Sequence, residues 1–245
     1  MVDVSTQPRI IVEHVSKWFN KRASRSMREA FINFIRRRPV RATQFQALND
    51  VNFTIGAGES VAIMGLNGSG KSTTLKLVSG VLEPDEGRVF TRGRVAGLIE
   101  VGAGFHPDLT GRENVFLNAA ILGMSERETR ERFDEILEFS GIGDFIDQDV
   151  KHYSSGMFMR LAFSVAIHVE LDVLLVDEVL SVGDAPFRAK CAVKLKELAE
   201  RGVTMMVVSH SKAQVLELCT RGIIIKKGVV VFDGPIEGAV EALEG

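Results

Sequence analysis

The chain has 245 residues, 45% of them hydrophobic and 25% charged, which is enough for one large α/β domain with its own core. A net charge of −2 excludes attraction of the whole surface to nucleic acid, which needs a strongly basic field, so no nucleic-acid partner is expected. The two cysteines, Cys191 and Cys219, match no zinc spacing and read as reduced, buried thiols.

The N-terminus, MVDVSTQPRI, has no apolar run behind a basic start, so no leader peptide is expected. Residues 10–15 read as a short strand. The stretch 21–41 then changes character: Lys21, Arg22, Arg25, Arg28, Arg36, Arg37, Arg38 and Arg41 stand against one acid, Glu29. Within it Met27, Ala30, Phe31, Phe34 and Ile35 make the apolar stripe of an amphipathic helix. A capping box of Ser26 and Glu29 starts that helix and Pro39 stops it, giving a basic insertion at 24–38. Residues 47–55 and 60–64 read as strands, the second leading through a glycine-rich turn into a helix at about 71–79. Helices follow at 112–122, 125–139 and about 155–169, a helical subdomain spanning about 98–169. Residues 173–176 form a continuous apolar strand, as expected where a sheet is covered on both faces. A helix near 185–201 and a second apolar strand at 203–209 come next. A hairpin of 222–225 and 229–232 turns at Lys227-Gly228, and a last helix runs from Ile236. Alternating strands and helices predict a mainly parallel α/β sheet in a single domain, 1–245. The most apolar stretch, 161–182, is broken by His168, Glu170, Asp172, Asp177 and Glu178, so no segment is expected to span a bilayer. Any role at a membrane is expected to come through a partner.

Gly65-Leu66-Asn67-Gly68-Ser69-Gly70-Lys71-Ser72 fits G-x-x-x-x-G-K-[ST] between a predicted strand and a predicted helix, the context this motif requires. Its glycines let main-chain amides turn toward a phosphate, and the helix N-terminus, running through Ser72 and Thr73, adds partial positive charge. Lys71 is suited to the β- and γ-phosphates and Ser72 to Mg²⁺, so a nucleoside triphosphate site is predicted. Leu174-Leu175-Val176-Asp177-Glu178 puts two carboxylates at the end of a buried strand. Asp177 is expected in the Mg²⁺ shell. Glu178 is expected to orient or deprotonate the attacking water, a role that hydrolysis needs.

Three further motifs, in this order along the chain, resemble the ABC ATPase family. Tyr153-Ser154-Ser155-Gly156-Met157 resembles its signature loop, L-S-G-G-Q; Ser181-Val182-Gly183-Asp184 is similar to its D-loop; Val208-Ser209-His210 is similar to its switch-histidine region. The resemblance implies ATP and Mg²⁺ as ligands and a head-to-tail homodimer. Ser154, Ser155 and Gly156 of one copy would cover ATP on the phosphate loop of the other. It also implies that His210 contacts the γ-phosphate in cis, that Asp184 couples the two sites, and that Phe19, or alternatively Trp18, stacks on adenine. The signature loop departs from the family at Ser155 and Met157. The region of the family's conserved glutamine holds Gly97-Leu98-Ile99-Glu100-Val101-Gly102, with Glu100 the nearest equivalent and expected as a ligand of Mg²⁺.

Glu100 to Phe105, then Leu109-Thr110-Gly111-Arg112-Glu113-Asn114, then the Tyr153 loop, resemble the nucleotide-binding subunits of polysaccharide ABC exporters. That branch moves lipid-linked O-antigen, capsule, teichoic acid or galactan out of the cytoplasm. The resemblance implies a transmembrane permease in two copies, a lipid-linked glycan, and a peripheral position at the cytoplasmic face of the inner membrane. Some members add a C-terminal carbohydrate-binding domain; none is expected here. The basic helix would then face anionic headgroups or the glycan pyrophosphate. A small-molecule ABC transporter subunit is the alternative, and a soluble ABC ATPase the remaining one.

Overall fold

A computed structural model of the chain describes residues 7–21, 43–98, 102–177, 183–209 and 211–244. The basic helix expected at 24–38 therefore lies outside the described residues. The elements, in chain order, are strands β1 (Ile10–Lys21), β2 (Thr43–Ile55) and β3 (Ser60–Met64), helix α1 (Lys71–Val78), and strands β4 (Glu86–Thr91) and β5 (Val95–Gly97). Helices α2 (Gly111–Ile121), α3 (Glu126–Ser140) and α4 (Ser155–His168) follow, with short 3₁₀ turns at Gly143–Asp147 and Val150–His152. Strand β6 (Val173–Val176), helix α5 (Ala185–Glu200), strand β7 (Thr204–Val208) and helix α6 (Lys212–Leu218) come next. Strands β8 (Arg221–Lys226) and β9 (Val229–Pro235) and helix α7 (Ile236–Glu244) end the chain.

Among the described residues one sheet runs β5-β6-β7-β3-β8-β9, parallel except for the β8–β9 hairpin, and a second, antiparallel sheet runs β2-β1-β4. Every residue of β3, β6 and β7 is buried, because both faces of the large sheet are covered and alternation of polar residues has no face to occupy. Val61 and Ile63 of β3 point with Leu175, Met206, Val208 and Ile223 toward the small sheet, meeting Ile10, Val12, Leu48, Val51 and Ile55. Ala62 and Met64 point the other way with Leu174, Val176, Met205 and Val207, against Phe163, Ile167, Phe187, Leu195 and Ile236 of the helices.

Helix α4 serves two cores. Its Phe163 and Ile167 pack on the large sheet, while Leu161 and Val165 join Val115, Ala119, Phe133 and Ile136 of α2 and α3. The helix pair α2–α3 begins with reciprocal caps. The hydroxyls of Thr110 and Ser125 accept from the amides of Glu113 and Glu128, whose carboxylates accept from the Thr110 and Ser125 amides in return.

The strand expected at 10–15 continues to Lys21, bent by a bulge where His14 takes φ 51 and the register with β2 shifts. The bulge breaks the period-two pattern, so residues 16–21, with Trp18 and Phe19 adjacent, do not alternate as a strand does. Strands β4 and β5 and helix α6 were not expected. β4 shows mostly half-buried or exposed side chains and is held by its pairing to β1, a long-range contact that no local pattern encodes.

Candidate functional site

The loop after β3 has the geometry of a phosphate cradle. Gly65, Gly68 and Gly70 all have positive φ, at 144°, 76° and 116°. At Gly65 an added Cβ would lie 2.2 Å from the Ile225 carbonyl oxygen, and at Gly70 2.6 Å from Leu48 Cδ2. Those two positions accept only glycine because the chain is pressed against β2 and β8. At Gly68 nothing lies within 4 Å of such an atom, so this side of the loop opens on the site. Helix α1 starts at Gly70 with no side-chain cap, which leaves its first amides and its positive dipole end for an anion.

Lys71 is 6% exposed. Its Nζ donates to the Gly65 and Leu66 carbonyls at 2.9 and 3.2 Å, which holds the ammonium across the loop. Ser69 Oγ is buried without a hydrogen-bond partner, the one such side-chain atom among the described residues. Behind the loop, the amide of Gly228 in the β8–β9 turn donates to the Ser69 carbonyl at 2.9 Å, and the amide of Asn49 donates to the Gly228 carbonyl at 2.8 Å. The tail hairpin and β2 therefore brace the loop together.

A cavity of about 280 Å³ lies over the loop, lined by Asn67, Gly68, Gly70, Lys71, Ser72 and Thr73 on one side and by Phe19, Phe45 and Ala47 on the other. Phe19, not Trp18, reaches this cavity, because neighbouring residues on β1 point to opposite faces. Phe45 was not singled out from the sequence, since the strand was expected to begin at residue 47. An aromatic two positions before Ala47, on the same face, was the signal that could have found it.

Asp177 directly follows β6. Ile63 of β3 pairs with Val208 of β7, and Val176 of β6 pairs with Val207. Gly65, Asp177 and Ser209 therefore emerge at one edge of the sheet, the carboxyl ends of parallel strands, where α/β folds bind ligands. The Ser72 hydroxyl and the Asp177 carboxylate are hard oxygen donors. Among the described residues no cluster of three His, Cys, Asp or Glu offers a fuller cage. That fits Mg²⁺, which is commonly held by one or two carboxylates together with substrate phosphates and water. Glu100, Glu178 and His210 lie outside the described residues.

Ser154 caps α4, accepting from the Met157 amide at 3.2 Å. Ser155 is exposed, and a Cβ on Gly156 would meet only Ser154 Oγ, at 3.8 Å. These residues do not line the phosphate-loop cavity of the same chain; they form the capped start of α4. The approach to them is rigid. Tyr153 Oη donates to the Phe145 carbonyl at 2.6 Å, and its burial pushes the phenol up to about 12. Asp184 caps α5, accepting from the Phe187 amide at 3.1 Å, and is exposed. Cys191 and Cys219 are buried free thiols, both pushed up to about 12 by desolvation, and so are poor nucleophiles and poor metal ligands.

A second groove, of about 280 Å³, lies between α2, α4 and the chain after α1, beside Gly102 and Ala103. Val81 and Ile121 line it while 54% and 59% exposed. The residues beyond it are tied to the approach to Ser154. The Gly111 amide donates to the Gln148 carbonyl, that of Val150 to Leu109, and that of Lys151 to Pro107, at 3.1, 2.9 and 2.9 Å. The buried amide of Asn114 holds the same turn, donating to the carbonyls of His106, Leu109 and Thr110.

The family profile described as ABC transporter matches residues 48–181. The chain is 53% identical over 196 residues to the ABC transporter protein AbcA of Aeromonas salmonicida, covering 80% of this chain and 64% of that protein. It is 48% identical over 202 residues to the O-antigen export system ATP-binding protein RfbB of Klebsiella pneumoniae, covering 82% of each. The fold is similar, with a TM-score of 0.73 and 25% identity, to the dimeric post-hydrolysis structure of the ATP-binding cassette MJ0796 bound to ADP and Pi, over 93% of this chain and 98% of that one.

Proposed function

The chain belongs to the ABC transporter family as one of its ATP-hydrolysing subunits, and on that premise we propose that it powers export of a lipid-linked polysaccharide through a separate transmembrane partner. The observation that carries this reading is the 48% identity over four-fifths of the chain to an O-antigen export ATP-binding protein. The small-molecule alternative has no comparable support.

The phosphate chain of ATP would lie along the amides of Gly68 to Ser72, with Lys71 exchanging its loop carbonyls for phosphate oxygens. Ser72 and Asp177, with Glu100, would hold Mg²⁺, which when bound neutralises charge on the phosphate oxygens. Glu178 would take a proton from the attacking water, and His210 would contact the γ-phosphate. Ser154, Ser155 and Gly156 do not line the cavity over their own phosphate loop, which supports a head-to-tail homodimer in which they would close over the nucleotide of a second copy. The first-turn amides of α4 not taken by the Ser154 cap would face that phosphate. Asp184 would sit near the shared seam while fixing the start of α5.

No helix among the described residues is long and apolar enough to cross a membrane, and the ATP-binding subunits of this family are peripheral membrane proteins. For this chain the cytoplasmic face of the inner membrane is proposed. Two copies of a membrane subunit would dock on the groove at Val81 and Ile121. The main-chain ladder between 107–111 and 148–151 would carry their movement to Ser154. The basic segment 24–38 would lie against lipid headgroups or the glycan pyrophosphate.

The test is reconstitution with the membrane subunit in liposomes. Lipid-linked glycan should stimulate ATP hydrolysis and appear in the lumen. Replacing Arg36, Arg37 and Arg38 with glutamate should reduce export and leave ATP binding intact. Stimulation by small solutes but not by the glycan would overturn the proposal.

A further inference from the structure

Phe19 and Phe45 sit directly opposite each other on the antiparallel strands β1 and β2. Opposed residues of such a pair project from the same face of a sheet, with Cβ atoms about 4.5–5.5 Å apart. Both rings are left substantially in solvent, 37% and 45% exposed, although burial of a phenylalanine is strongly favourable. Both border the same cavity, whose far side is the loop from Asn67 to Thr73. The Phe19 side is fixed. Lys17 Nζ lies 5.9 Å from the ring centre and donates to Asp85 at 3.1 Å, and the other Asp85 oxygen accepts from the Trp18 amide at 2.6 Å.

Resting on the nucleotide-binding reading above, we propose that Phe45 is a specificity-determining residue of this site, the second aromatic of a two-ring face that receives the purine base. A planar base attached to a triphosphate on the loop must leave the loop toward β1 and β2, since these strands form the opposite wall. There it meets two phenyl rings in place of one. Phenyl rings carry no hydrogen-bonding groups, so this face reads the area of a base and not its edge. Adenine and guanine gain equally from Phe45, and a pyrimidine, with less ring to cover both phenyls, gains less. Phe45 therefore sets a preference for purines over pyrimidines and is indifferent between the two purines.

The test is calorimetric titration of the full chain with ATP, GTP, CTP and inorganic tripolyphosphate, which carries no base. Wild type, Phe45→Ala, Phe45→Leu and Phe45→Trp are compared; leucine keeps an apolar branched side chain on β2 should alanine prevent folding. Loss of one stacking ring is expected to weaken ATP and GTP about tenfold in the alanine and leucine variants, CTP by less, and tripolyphosphate not at all. Tryptophan should retain wild-type affinity for ATP. ATP affinity within about twofold of wild type in the leucine variant would overturn the proposal. So would equal losses for ATP and tripolyphosphate, which would make Phe45 a support for the phosphate loop. A wild-type chain that binds neither ATP nor tripolyphosphate would instead remove the nucleotide reading on which the proposal rests.

Discussion

The main-chain amide of Gly228 donates to the Ser69 carbonyl at 2.9 Å, so the turn of the tail hairpin holds the phosphate loop from behind. Gly228 has φ 81°, and a Cβ there would stand 2.6 Å from the Ala47 carbonyl oxygen. Gly228→Ala is expected to destabilise the chain by about 1–3 kcal/mol through strain and displacement of the turn. It should also weaken ATP binding by about tenfold without touching the cavity, because small misplacements of a positioned site are costly. Gly202→Ala is the control. Gly202 has φ 83° with nothing within 4 Å of the added atom, so it should lose stability but not ATP affinity. Melting temperature and calorimetric affinity, measured together on both variants, check this.

Glu178→Gln should leave ATP binding intact and slow hydrolysis by roughly 10²–10⁴, the usual worth of a positioned base. With hydrolysis blocked, ATP should hold two copies together, visible as a dimer in size-exclusion chromatography. Lys71→Ala should instead weaken binding itself, because the buried ammonium is taken from the centre of the loop. Near-normal turnover by Glu178→Gln would mean that another group activates the water.

If Ser154 acts across a homodimer, Lys71→Ala and Ser154→Asp chains should each be nearly inactive alone and regain hydrolysis when mixed. In the mixed dimer one composite site keeps both an intact phosphate loop and an intact signature loop, and the other carries both defects. Activity of the mixture no greater than that of its components would place Ser154 in its own chain's site.

Burial holds the His168 imidazole below its ordinary pKa. Its Nδ1–H donates to the Ser164 carbonyl at 2.7 Å, and its ring meets Phe139 edge-on. Lys194 and Arg132 oppose protonation and Glu135 favours it more weakly than burial disfavours it. The folded chain therefore takes up this proton at lower pH than the unfolded chain. The contribution of His168 to stability is full above the pKa of the unfolded imidazole and is lost as pH drops below it, at no more than about 1.4 kcal/mol per pH unit. Denaturant midpoints between pH 7.5 and 5.5 should show this decline. His168→Asn, whose amide replaces the Nδ1–H donor, should flatten it.

The phosphate loop was legible because its chemistry is local. Three glycines spaced along the loop, a lysine and a serine between a strand and a helix specify a backbone turn and a helix start suited to an anion. Residues 60–64 and 173–176 were legible for a related reason, since an unbroken apolar run has one stable place, inside a sheet covered on both faces. β4 was not legible, because its mostly half-buried and exposed side chains carry no strong pattern and its edge is satisfied only by β1. The end of β1 was hidden by the bulge at His14, which breaks the alternation a strand is read from.

Residue order along the chain marks the candidates: spaced glycines, Lys71 and Ser72 for a phosphate, Asp177 for a cation, Ser154 for a helix cap. Which distant segments meet at those candidates is set by strand pairing and packing. Packing brings Phe45 opposite Phe19, sets Gly228 behind Ser69, and leaves Ser154 out of the cavity over its own loop. The reason is physical. A motif acts through neighbours along the chain, whereas strand pairing and packing join residues whose proximity depends on the burial of the whole core.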